Sequence, residues 1–438
     1  MATAAARESF HSTAGFILAA AGSAIGLGNI WGFPYQAAEN GGGAFVALYI
    51  LFVVSIGLPV MLAELSLGRA TGLSPVGAFR AAAPGTPWWM VGALGVVTGF
   101  FILSFYCVLA GWTLGYLAKG LTGELTAGLS SEQSVAVFTA FVQSNVLEVG
   151  LCGIFYLFVV AVVLLGVSAG IERMSSVLMP MFFVLLLLLV VRSVTLPGAG
   201  PGIDYLLTWD ASKITPKVAI AALSQAFFSL SLGMGAMLTY GSYLSKSQPL
   251  AFSAAAVAAS DTMVALLAGF MIFPAVFAAG ATPAESVGLA FHTMPTIFDQ
   301  LPAGWLFASA FYFLLAVAAL TSAISLLEVV VSYFIDQRGW SRPRAVWISA
   351  GACFLLSIPS ATVDGVMDTF ISLTFDYGLP IGALLMSIFV GWRMPISRAE
   401  AEITSGGAFF PLAGVWSFVL RFVVPVAIVF VLLGPHLG

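Results

Sequence analysis

Charged side chains are scarce in this sequence: Asp, Glu, Lys and Arg make up 8% of its 438 residues, whereas 60% of the residues are hydrophobic. So few polar groups cannot coat the surface of a water-soluble globule of this length, which excludes an ordinary soluble enzyme or binding domain. The composition therefore predicts a polytopic membrane protein.

Basic blocks, paired cysteines and clustered histidines are also lacking. The 15 basic and 19 acidic residues are scattered and give a net charge of −4, so nothing favours a nucleic acid as a partner. Cys107, Cys152 and Cys353 show no CxxC spacing, and the three histidines lie far apart. We therefore expect neither a disulfide framework nor a His or Cys metal site. No nucleophile and base are paired in the apolar segments, so an enzyme is not expected either.

Long apolar runs, separated by Gly, Pro and charged residues, fill most of the chain. Each is near or above the ~20 residues that span a bilayer as a helix. The first run is longer than the apolar core of a signal peptide and lacks an A-x-A site, so we expect it to be retained. The runs predict eleven membrane helices, at 12–37, 42–68, 88–118, 149–167, 173–195, 215–245, 248–280, 303–337, 344–359, 363–392 and 408–434.

Basic residues are distributed unequally between alternate loops. If the N-terminus is cytoplasmic, ten Lys and Arg residues fall in inner loops and four in outer loops, as the positive-inside rule requires. Segments 119–148, 196–214 and 281–302 then lie outside. Segment 281–302 is apolar, so it is either a short helix packed over the outer face of the membrane helices or an ordinary loop.

Two of the predicted helices are interrupted near their middle by small and polar residues. The stretch AGSAIGLGN (21–29) interrupts the first helix, and FFSLSLGMGAM (227–237) interrupts the sixth. An unpaired backbone N–H or C=O in hydrocarbon costs several kcal/mol, so unwound backbone persists only where it lines a cavity or binds a ligand. Corresponding breaks in two halves predict an inverted-repeat transporter with a binding site at mid-membrane. Close helix packing through small residues is the alternative.

Asp261 falls inside the predicted seventh helix, where a carboxylate costs about 2.5–3.5 kcal/mol on insertion scales. No Lys or Arg is expected at that depth, so its partner should be an external cation or a proton. Asn29, Ser229, Thr321 and Ser322 add the kind of oxygen ligands that suit Na⁺. For Thr321 and Ser322, whose hydroxyls are adjacent, the alternative is a hydrogen bond to a backbone carbonyl of their own helix.

Other acidic residues also fall inside predicted helices, but nearer to the helix ends, where a structural role is as reasonable as a functional one. These are Glu64, Glu328, Asp368 and Asp376. The half-helices that follow the two breaks direct their positive N-terminal ends inward and favour an anionic group. A carboxylate beside sodium, with apolar and aromatic side chains around it, predicts a neutral, hydrophobic amino acid as the substrate.

The segments GSAIGLGNIWGFPYQAAENGGGAF (22–45) and FFSLSLGMGAMLTYGSY (227–243) resemble the neurotransmitter:sodium symporters. The resemblance implies the LeuT-type fold: an all-α membrane protein with two inverted five-helix repeats, 1–195 and 215–392. Segment 196–214 would join the repeats, and 393–438 would hold an eleventh helix. It also implies uptake by alternating access into a bacterial cell across the inner membrane, by a monomer or weak dimer in lipid.

Position by position, the resemblance assigns ligands to two sodium ions and to the substrate. The first sodium would be held by the side chains or carbonyls of Ala24, Asn29, Ser229 and Asp261. The second would be held by the carbonyls of Gly22, Ile25 and Ala318 and the hydroxyls of Thr321 and Ser322. The substrate site would be lined by Ser23, Ala24, Leu27, Gly28, Ile102, Tyr106, Phe228, Ser229, Ser231, Met234, Ser322, Ser325 and Leu326.

Two departures from the family pattern concern the substrate and its ions. Monoamine carriers have an aspartate where this chain has Gly26, so glycine favours a substrate that brings its own carboxylate. Animal members need chloride beside Tyr49, Gln225 and Ser229, where Asp261 replaces a neutral asparagine. A fixed negative charge at that point predicts that no chloride is required. Met234 is more adaptable than the usual phenylalanine, which makes room for larger side chains, including aromatic ones.

The gates are implied by the same resemblance. At the cytoplasmic end, the gate residues would be Arg7, Phe10, Tyr243 and Asp336. At the outer end, Gly32 replaces the arginine of the family and leaves Asp368 without its usual partner. Two other hypotheses remain open: a proton-coupled transporter of the same fold, with Asp261 as proton carrier, and a channel or solute sensor.

Overall fold

The computed structural model describes residues 8–281, 288–405 and 409–434, and within these ranges it contains helices and no strands. Helix 1 consists of two parts, Thr13–Ala24 and Gly28–Glu39, that bend by 54° at their junction. Helix 6 is likewise divided, into Pro216–Ser229 and Ala236–Gly241. In the described ranges, nine further helices could span a bilayer: helix 2, Gly43–Thr71; helix 3, Trp89–Leu121; helix 4, Asn145–Leu164; helix 5, Val167–Val194; helix 7, Leu250–Ala278; helix 8, Gly304–Arg338; helix 9, Arg342–Thr362; helix 10, Val366–Arg393; and helix 11, Ala413–Leu433.

All eleven helices predicted from the sequence are present, and most of their ends agree within a few residues. The largest shift at a helix start is in helix 5, which begins at Val167 rather than at 173. Gly166 precedes it with φ +86°, a conformation that ends helix 4 and turns the chain into helix 5. The extra turn of helix 5 therefore depends on a glycine rather than on apolar periodicity.

The break in helix 6 covers residues 230–235 and has a backbone that few sequences could adopt. Gly233 and Gly235 have φ values of +81° and +78°. A Cβ on Gly233 would lie 2.2 Å from the carbonyl oxygen of Leu379 on helix 10. Glycine is therefore required for both conformation and space, and the unwound segment packs directly on helix 10.

Ser231 also has a positive φ, +55°, which is uncommon for a residue with a side chain. Its hydroxyl donates a hydrogen bond to the carbonyl of Ser23, 3.0 Å away in helix 1. This bond joins the two breaks directly.

Helix 8 lies at the centre of the bundle and positions the site. Its buried residues extend from Gly304 to Ser332, and it packs along most of the length of helix 3. Helix 1 crosses it at the level of the first break. Two long, rigid helices thus provide a fixed wall against which the broken helices lie.

Short helices occupy the segments outside the spans. The outer segment 119–148 contains Ser131–Val142, which begins with a capping box formed by Ser130 and Gln133. In the apolar outer segment, Leu289–Thr293 and Met294–Asp299 are helical, which confirms the helix alternative for this part, while residues 282–287 lie outside the described ranges. On the cytoplasmic side, Ile396–Ile403 connects helices 10 and 11.

Candidate transport site

A narrow cavity of about 20 Å³ lies where the two breaks face helices 3 and 8. All of the expected substrate residues line it except Leu27, which faces the larger space on the outer side. The lining consists of Ser23, Ala24, Gly26, Gly28, Asn29, Ile102, Tyr106, Phe228, Ser229, Ser231, Met234, Ser322, Ser325 and Leu326. The residues that the family resemblance assigned to the substrate site thus come from four helices and meet at one cavity.

Glycines in the first break allow a close approach that no other residue would permit. A Cβ on Gly28 would lie 2.2 Å from the ring of Phe228. A Cβ on Gly26 would lie 2.7 Å from the hydroxyl of Ser322 and 2.8 Å from that of Tyr106. An aspartate at Gly26, as in monoamine carriers, would therefore have to displace both hydroxyls.

A fully buried polar cluster borders the cavity and is built around Asp261 of helix 7. Its Oδ1 accepts from the amide of Asn29 at 2.7 Å, and its Oδ2 accepts from the hydroxyl of Ser229 at 2.6 Å. The hydroxyl of Tyr49 lies 3.2 Å from Oδ2 and 3.1 Å from the Ser229 oxygen. The carboxylate is thus held by neutral donors from helices 1, 2 and 6.

No described Lys or Arg forms an ion pair with Asp261, although the side chain is fully buried. A buried carboxylate without a cation is costly, and neutral donors compensate only part of that cost. The arrangement therefore provides a negative site that a cation or a proton from outside the chain would complete.

A second group of oxygen atoms joins the break of helix 1 to helix 8. The Ser322 hydroxyl lies 3.4 Å from the carbonyl oxygen of Gly22 and 3.3 Å from that of Ile25. The Thr321 hydroxyl donates back to its own helix, to the carbonyl of Ala318 at 3.0 Å. Thr321 thus bonds to its own helix, as the alternative interpretation predicted, whereas Ser322 reaches across to helix 1. The oxygen atoms that are expected to bind the second sodium lie at this one junction.

Glu64 in helix 2 stabilises the break of helix 6, a role that sequence reasoning left undecided. Its carboxylate is fully buried and accepts from the backbone N–H of Gly233 at 2.8 Å and of Leu238 at 3.3 Å. These are amides that the break leaves without helical partners. A lone carboxylate in an apolar run was the signal for this role, but its partner could not be inferred.

The end of the path that is predicted to be cytoplasmic is closed by aromatic rings around Phe10, which is almost fully buried. Its ring centroid lies 5.4 Å from that of Phe16, 5.7 Å from that of Tyr240 and 6.4 Å from that of Tyr243. The Phe10 N–H donates to the carbonyl of Tyr243 at 3.1 Å. Two of the expected gate residues, Phe10 and Tyr243, are thus brought together here.

A buried ion pair lies beside these rings and was missed in the sequence. Glu328 of helix 8 is fully buried and accepts two hydrogen bonds from the guanidinium of Arg342, at 2.8 and 3.1 Å. The Tyr243 hydroxyl donates to the same carboxylate at 2.6 Å. The sequence indicates Arg342 only as one of the basic residues of the inner loops, because its partner Glu328 lies fourteen residues earlier, in helix 8.

Asp336 is the expected inner-gate residue that the described ranges also include. The carboxylate of Asp336 accepts from the backbone N–H of Ser74 at 2.6 Å, where a short helix after helix 2 begins. Arg7, which the family resemblance would pair with Asp336, lies outside the described residues.

The outer end of the path opens into a vestibule of about 500 Å³. It is formed by the outer halves of helices 1 and 6 and by helices 3 and 10. Phe228 and Phe375 separate it from the central cavity, with ring centroids 4.4 Å apart. A Cβ on Gly32, which lines the vestibule, would meet no atom within 4 Å.

The expected outer-gate residue Asp368 requires a correction. It is exposed in the first turns of helix 10 and is not part of the vestibule lining. Asp376 lines the vestibule instead, eight residues and therefore about 12 Å further along the helix. A π-helical turn, Leu373–Gly378, places Asp376 on the side that faces Gly32 and Gln36.

Comparison with known proteins agrees with this geometry. A family model described as the sodium:neurotransmitter symporter family matches residues 7–136 and 139–435. The chain is 41% identical to the uncharacterized sodium-dependent transporter YhdH of Bacillus subtilis (strain 168) over 96% of both chains. It is 28% identical to the sodium-dependent serotonin transporter of Drosophila melanogaster, over 91% of this chain and 71% of that one.

A solved structure shows the same architecture. The crystal structure of MhsT in complex with L-phenylalanine superposes with a TM-score of 0.91 at 43% identity. The match covers 98% of this chain and 99% of MhsT. The LeuT-type fold expected from the two broken helices is thereby confirmed.

Proposed function

The chain belongs to the sodium:neurotransmitter symporter family and is a membrane transporter rather than an enzyme, and we propose that it imports a neutral, hydrophobic amino acid together with sodium. The observation that carries this proposal is the buried Asp261 cluster, which lacks a basic partner and borders the central cavity. A sodium ion bound there supplies the missing positive charge. The substrate carboxylate then completes the coordination of the ion from the cavity side.

Two sodium ions are proposed, one at each group of oxygen atoms. At the first, Ala24, Asn29, Ser229 and Asp261 surround the ion, and its charge is balanced by the aspartate and the substrate carboxylate. At the second, the Ser322 hydroxyl of helix 8 is already within 3.4 Å of the helix 1 carbonyls of Gly22 and Ile25, and the Thr321 hydroxyl lies 3.0 Å from the carbonyl of Ala318 in its own helix. An ion at this junction would fix helix 1 against helix 8, so its release would free helix 1 to move.

The proposed substrate orientation follows from the chemistry of the cavity. The N–H of Leu27 and the hydroxyl of Tyr106, now 3.2 Å apart, are donors for a carboxylate. The Ser231 hydroxyl and the carbonyls of the breaks suit an ammonium group. The side chain then lies among Ile102, Met234 and Leu326. The phenylalanine bound to MhsT supports a cavity of this family that holds an aromatic amino acid.

Chloride independence is proposed on the basis of Asp261. In chloride-dependent relatives the donors around this point would serve the anion, but here Ser229 and Asn29 donate to the carboxylate. Gln225 is engaged as well, because its amide donates to the carbonyl of Gly28 at 3.0 Å. A chloride ion would have to replace these bonds and would be repelled by the aspartate.

Transport by alternating access is proposed to start from the arrangement seen here, with the vestibule open and the cytoplasmic end closed. Sodium and substrate enter from the vestibule when the Phe228 and Phe375 rings separate, the rings then close again over them, and the cytoplasmic end opens. The two five-helix halves, 1–195 and 215–392, act as inverted repeats. The positive-inside distribution supports a cytoplasmic N-terminus in the inner membrane of a bacterial cell, with lipid around a monomer or weak dimer.

The test is uptake of labelled amino acids by the full chain in liposomes. We expect accumulation of hydrophobic and aromatic amino acids that stops when sodium is replaced by choline at constant pH. Uptake that continues in choline and follows a proton gradient would instead support the proton-coupled hypothesis. Ion flux without stoichiometric uptake would support a channel. If only glycine or alanine were transported, the proposed pocket would be wrong.

A separate experiment with a substituted protein tests the proposed chloride independence. Replacement of chloride by gluconate should leave uptake by the unmodified chain unchanged, whereas Asp261→Asn should create a chloride requirement. The matched control is Asp299→Asn, since Asp299 is an outer-segment carboxylate that accepts from Gly128 far from the cavity. Loss of uptake by the unmodified chain in gluconate would contradict the proposal.

A further inference from the structure

Arg421 is a basic residue inside a membrane helix, and the proposed transport cycle does not use it. It lies eight residues, about 12 Å, after the start of helix 11 at Ala413. Helix 11 is the least buried of the nine continuous spans in the described ranges, so most of its surface faces lipid. A guanidinium in such a helix is costly unless it has a partner or reaches the membrane surface.

Two hydrogen bonds hold Arg421 against the end of helix 10. Its Nε donates to the carbonyl of Gly391 at 2.7 Å, and its own carbonyl accepts from the indole N–H of Trp392 at 3.2 Å. A Cβ on Gly391 would lie 3.1 Å from Cγ of Arg421, so the glycine lets the two helices meet closely. Both helices form a π-helical turn at this contact, Phe389–Arg393 and Val419–Val423. Such turns are frequent at functional sites, and here they bring the guanidinium to a fixed position.

The guanidinium beyond Nε has no protein partner among the described residues. No described acidic residue forms an ion pair with Arg421, and its two terminal nitrogens, Nη1 and Nη2, donate to no described acceptor. The side chain is only half-buried. Arg393, which ends the π-helical turn of helix 10, is exposed and likewise forms no ion pair within the described ranges. The contact between helices 10 and 11 therefore presents positive charge and unused donors to its surroundings.

This contact lies near the boundary of the hydrocarbon region. Gly382 of helix 10 packs on Gly233 in the break of helix 6, and the breaks are expected at mid-membrane. Gly391 follows nine residues, about 13 Å, further along helix 10, towards the end predicted to be cytoplasmic. Half of a hydrocarbon core is about 15 Å thick, so an arginine side chain at this level reaches the phosphate groups of the lipids.

Exposed aromatic side chains lie next to the arginine. The Trp392 ring centroid lies 6.0 Å from the guanidinium carbon of Arg421 and 5.3 Å from the ring centroid of Phe422. Phe422 in turn contacts Phe418, one turn earlier in helix 11, with ring centroids 5.3 Å apart. All three rings are exposed. A tryptophan at this depth is typical of the membrane interface, and an acyl chain can lie along the two phenylalanines.

We propose that Arg421 binds the phosphate of an anionic phospholipid at the contact between helices 10 and 11. Nη1 and Nη2 match two phosphate oxygens in a bidentate arrangement, while Nε stays bonded to Gly391. Arg393 supplies additional positive charge, which favours a lipid with net negative charge over a zwitterionic one. A water-soluble anion is not favoured, because the exposed neighbours of the guanidinium are aromatic and apolar. The lipid site does not depend on the proposed transport function.

The test is binding of defined lipids to the full chain, purified in detergent, by native mass spectrometry. The probes are dioleoylphosphatidylglycerol, which is anionic, dioleoylphosphatidylcholine, which is zwitterionic, and dioleoylglycerol, which lacks phosphate. We expect phosphatidylglycerol to bind about fivefold more tightly than phosphatidylcholine, and dioleoylglycerol to bind most weakly. Inorganic phosphate at millimolar concentration should not displace the bound lipid.

Arg421→Gln should reduce the preference for phosphatidylglycerol over dioleoylglycerol about fivefold, the factor for one basic residue near an anionic surface. Arg421→Lys keeps the charge but loses the forked donors, so it should retain part of this preference. Arg393→Gln should mainly reduce the preference for phosphatidylglycerol over phosphatidylcholine. Each preference is a ratio of two dissociation constants measured on one variant, so a general loss of stability does not change it.

The matched control is Arg344→Gln, because Arg344 also stacks on a tryptophan, Trp340, but at the start of helix 9. An unchanged preference in Arg421→Gln would overturn the proposal and show that the arginine only holds helices 10 and 11 together. An equal loss in Arg344→Gln would show that net charge, rather than this contact, attracts the lipid. Displacement of the lipid by inorganic phosphate would show a general anion site, and equal binding of phosphatidylglycerol and phosphatidylcholine would show that the site does not select an anionic lipid.

Discussion

The two ends of the transport path are closed by different means and to different degrees. At the end predicted to be cytoplasmic, three aromatic rings pack around Phe10, and the Glu328–Arg342 ion pair is buried beside them. At the outer end, one pair of rings, Phe228 and Phe375, lies between the central cavity and a vestibule of about 500 Å³. The charged residues of the vestibule are exposed and unpaired with each other.

This difference indicates how the free energy of closure is distributed between the two ends in the arrangement seen here. The cytoplasmic end combines ring packing with a desolvated ion pair, in which loss of either partner leaves a buried charge. The outer end relies on ring contact, worth about 0.5–1.5 kcal/mol beyond the area that it buries. The inner gate is therefore the stronger of the two before sodium and substrate bind, which is required if the path is to load from outside.

The largest effect is expected from breaking the stronger gate with Arg342→Gln. Removal of the guanidinium leaves the fully buried Glu328 carboxylate with only Tyr243 as a described side-chain donor, and such a loss costs about 3–5 kcal/mol. Amide exchange in the inner half of helix 1, Thr13–Ala24, should then accelerate by about 100-fold or more. Hydrogen exchange with mass spectrometry measures this, and uptake into liposomes should fall in parallel.

Arg344→Gln is the matched control for this variant. Arg344 is two residues away and stacks on Trp340, with its guanidinium carbon 4.7 Å from the ring centroid, outside the buried pair. Its replacement should leave exchange in helix 1 unchanged. Equal effects of the two substitutions would mean that net positive charge at the cytoplasmic face, rather than the buried pair, holds the inner gate closed.

An intermediate effect is expected from Phe228→Ala, which removes the cover of the outer end. Loss of the ring contact with Phe375 and of the area that it buries should raise the dissociation rate of bound amino acid about tenfold. Filter-binding exchange of labelled substrate in sodium measures this rate. Phe101→Ala is the control, because Phe101 packs on Phe370 between helices 3 and 10 but does not line the vestibule. A similar acceleration in both variants would show that packing of helix 10, not the cover, retains the substrate.

Much of the fold and of the central site could be predicted from the sequence, because both depend on local signals. Apolar length defines the spans, and the glycines of the two breaks indicate where the helices are interrupted. Twelve of the thirteen expected substrate residues line one cavity, where Gly28 of helix 1 allows the close approach of Phe228 of helix 6. The family resemblance assigned these thirteen residues position by position.

The pairings between distant residues could not be predicted in the same way. Glu64 and Glu328 are expected near the ends of predicted helices, but the structure buries both. Their partners, the Gly233 amide and the Arg342 guanidinium, are set by how the helices pack. Asp368 was expected at the outer gate and Asp376 is found at the vestibule, because the π-helical turn Leu373–Gly378 changes which face of helix 10 is presented. A turn with one extra residue leaves no clear mark in an apolar sequence.

The smallest effect is expected from Gly32→Arg, which adds a positive charge at position 32 of the outer end. A side chain at this position meets no atom within 4 Å, so the variant should fold normally. An arginine facing Asp376 across the vestibule should help to close it when substrate binds. A cysteine introduced at Ala221 should then be protected by substrate from a membrane-impermeant maleimide about two- to fivefold more, as expected for a solvated ion pair. The gain should be absent in Gly32→Gln and should disappear when Asp376→Asn is added. A gain that survives without the Asp376 carboxylate would show that bulk at position 32, rather than charge, closes the outer end. The contrast between a buried ion pair at the inner end and exposed, unpaired charges at the outer end would then not explain why the vestibule stands open.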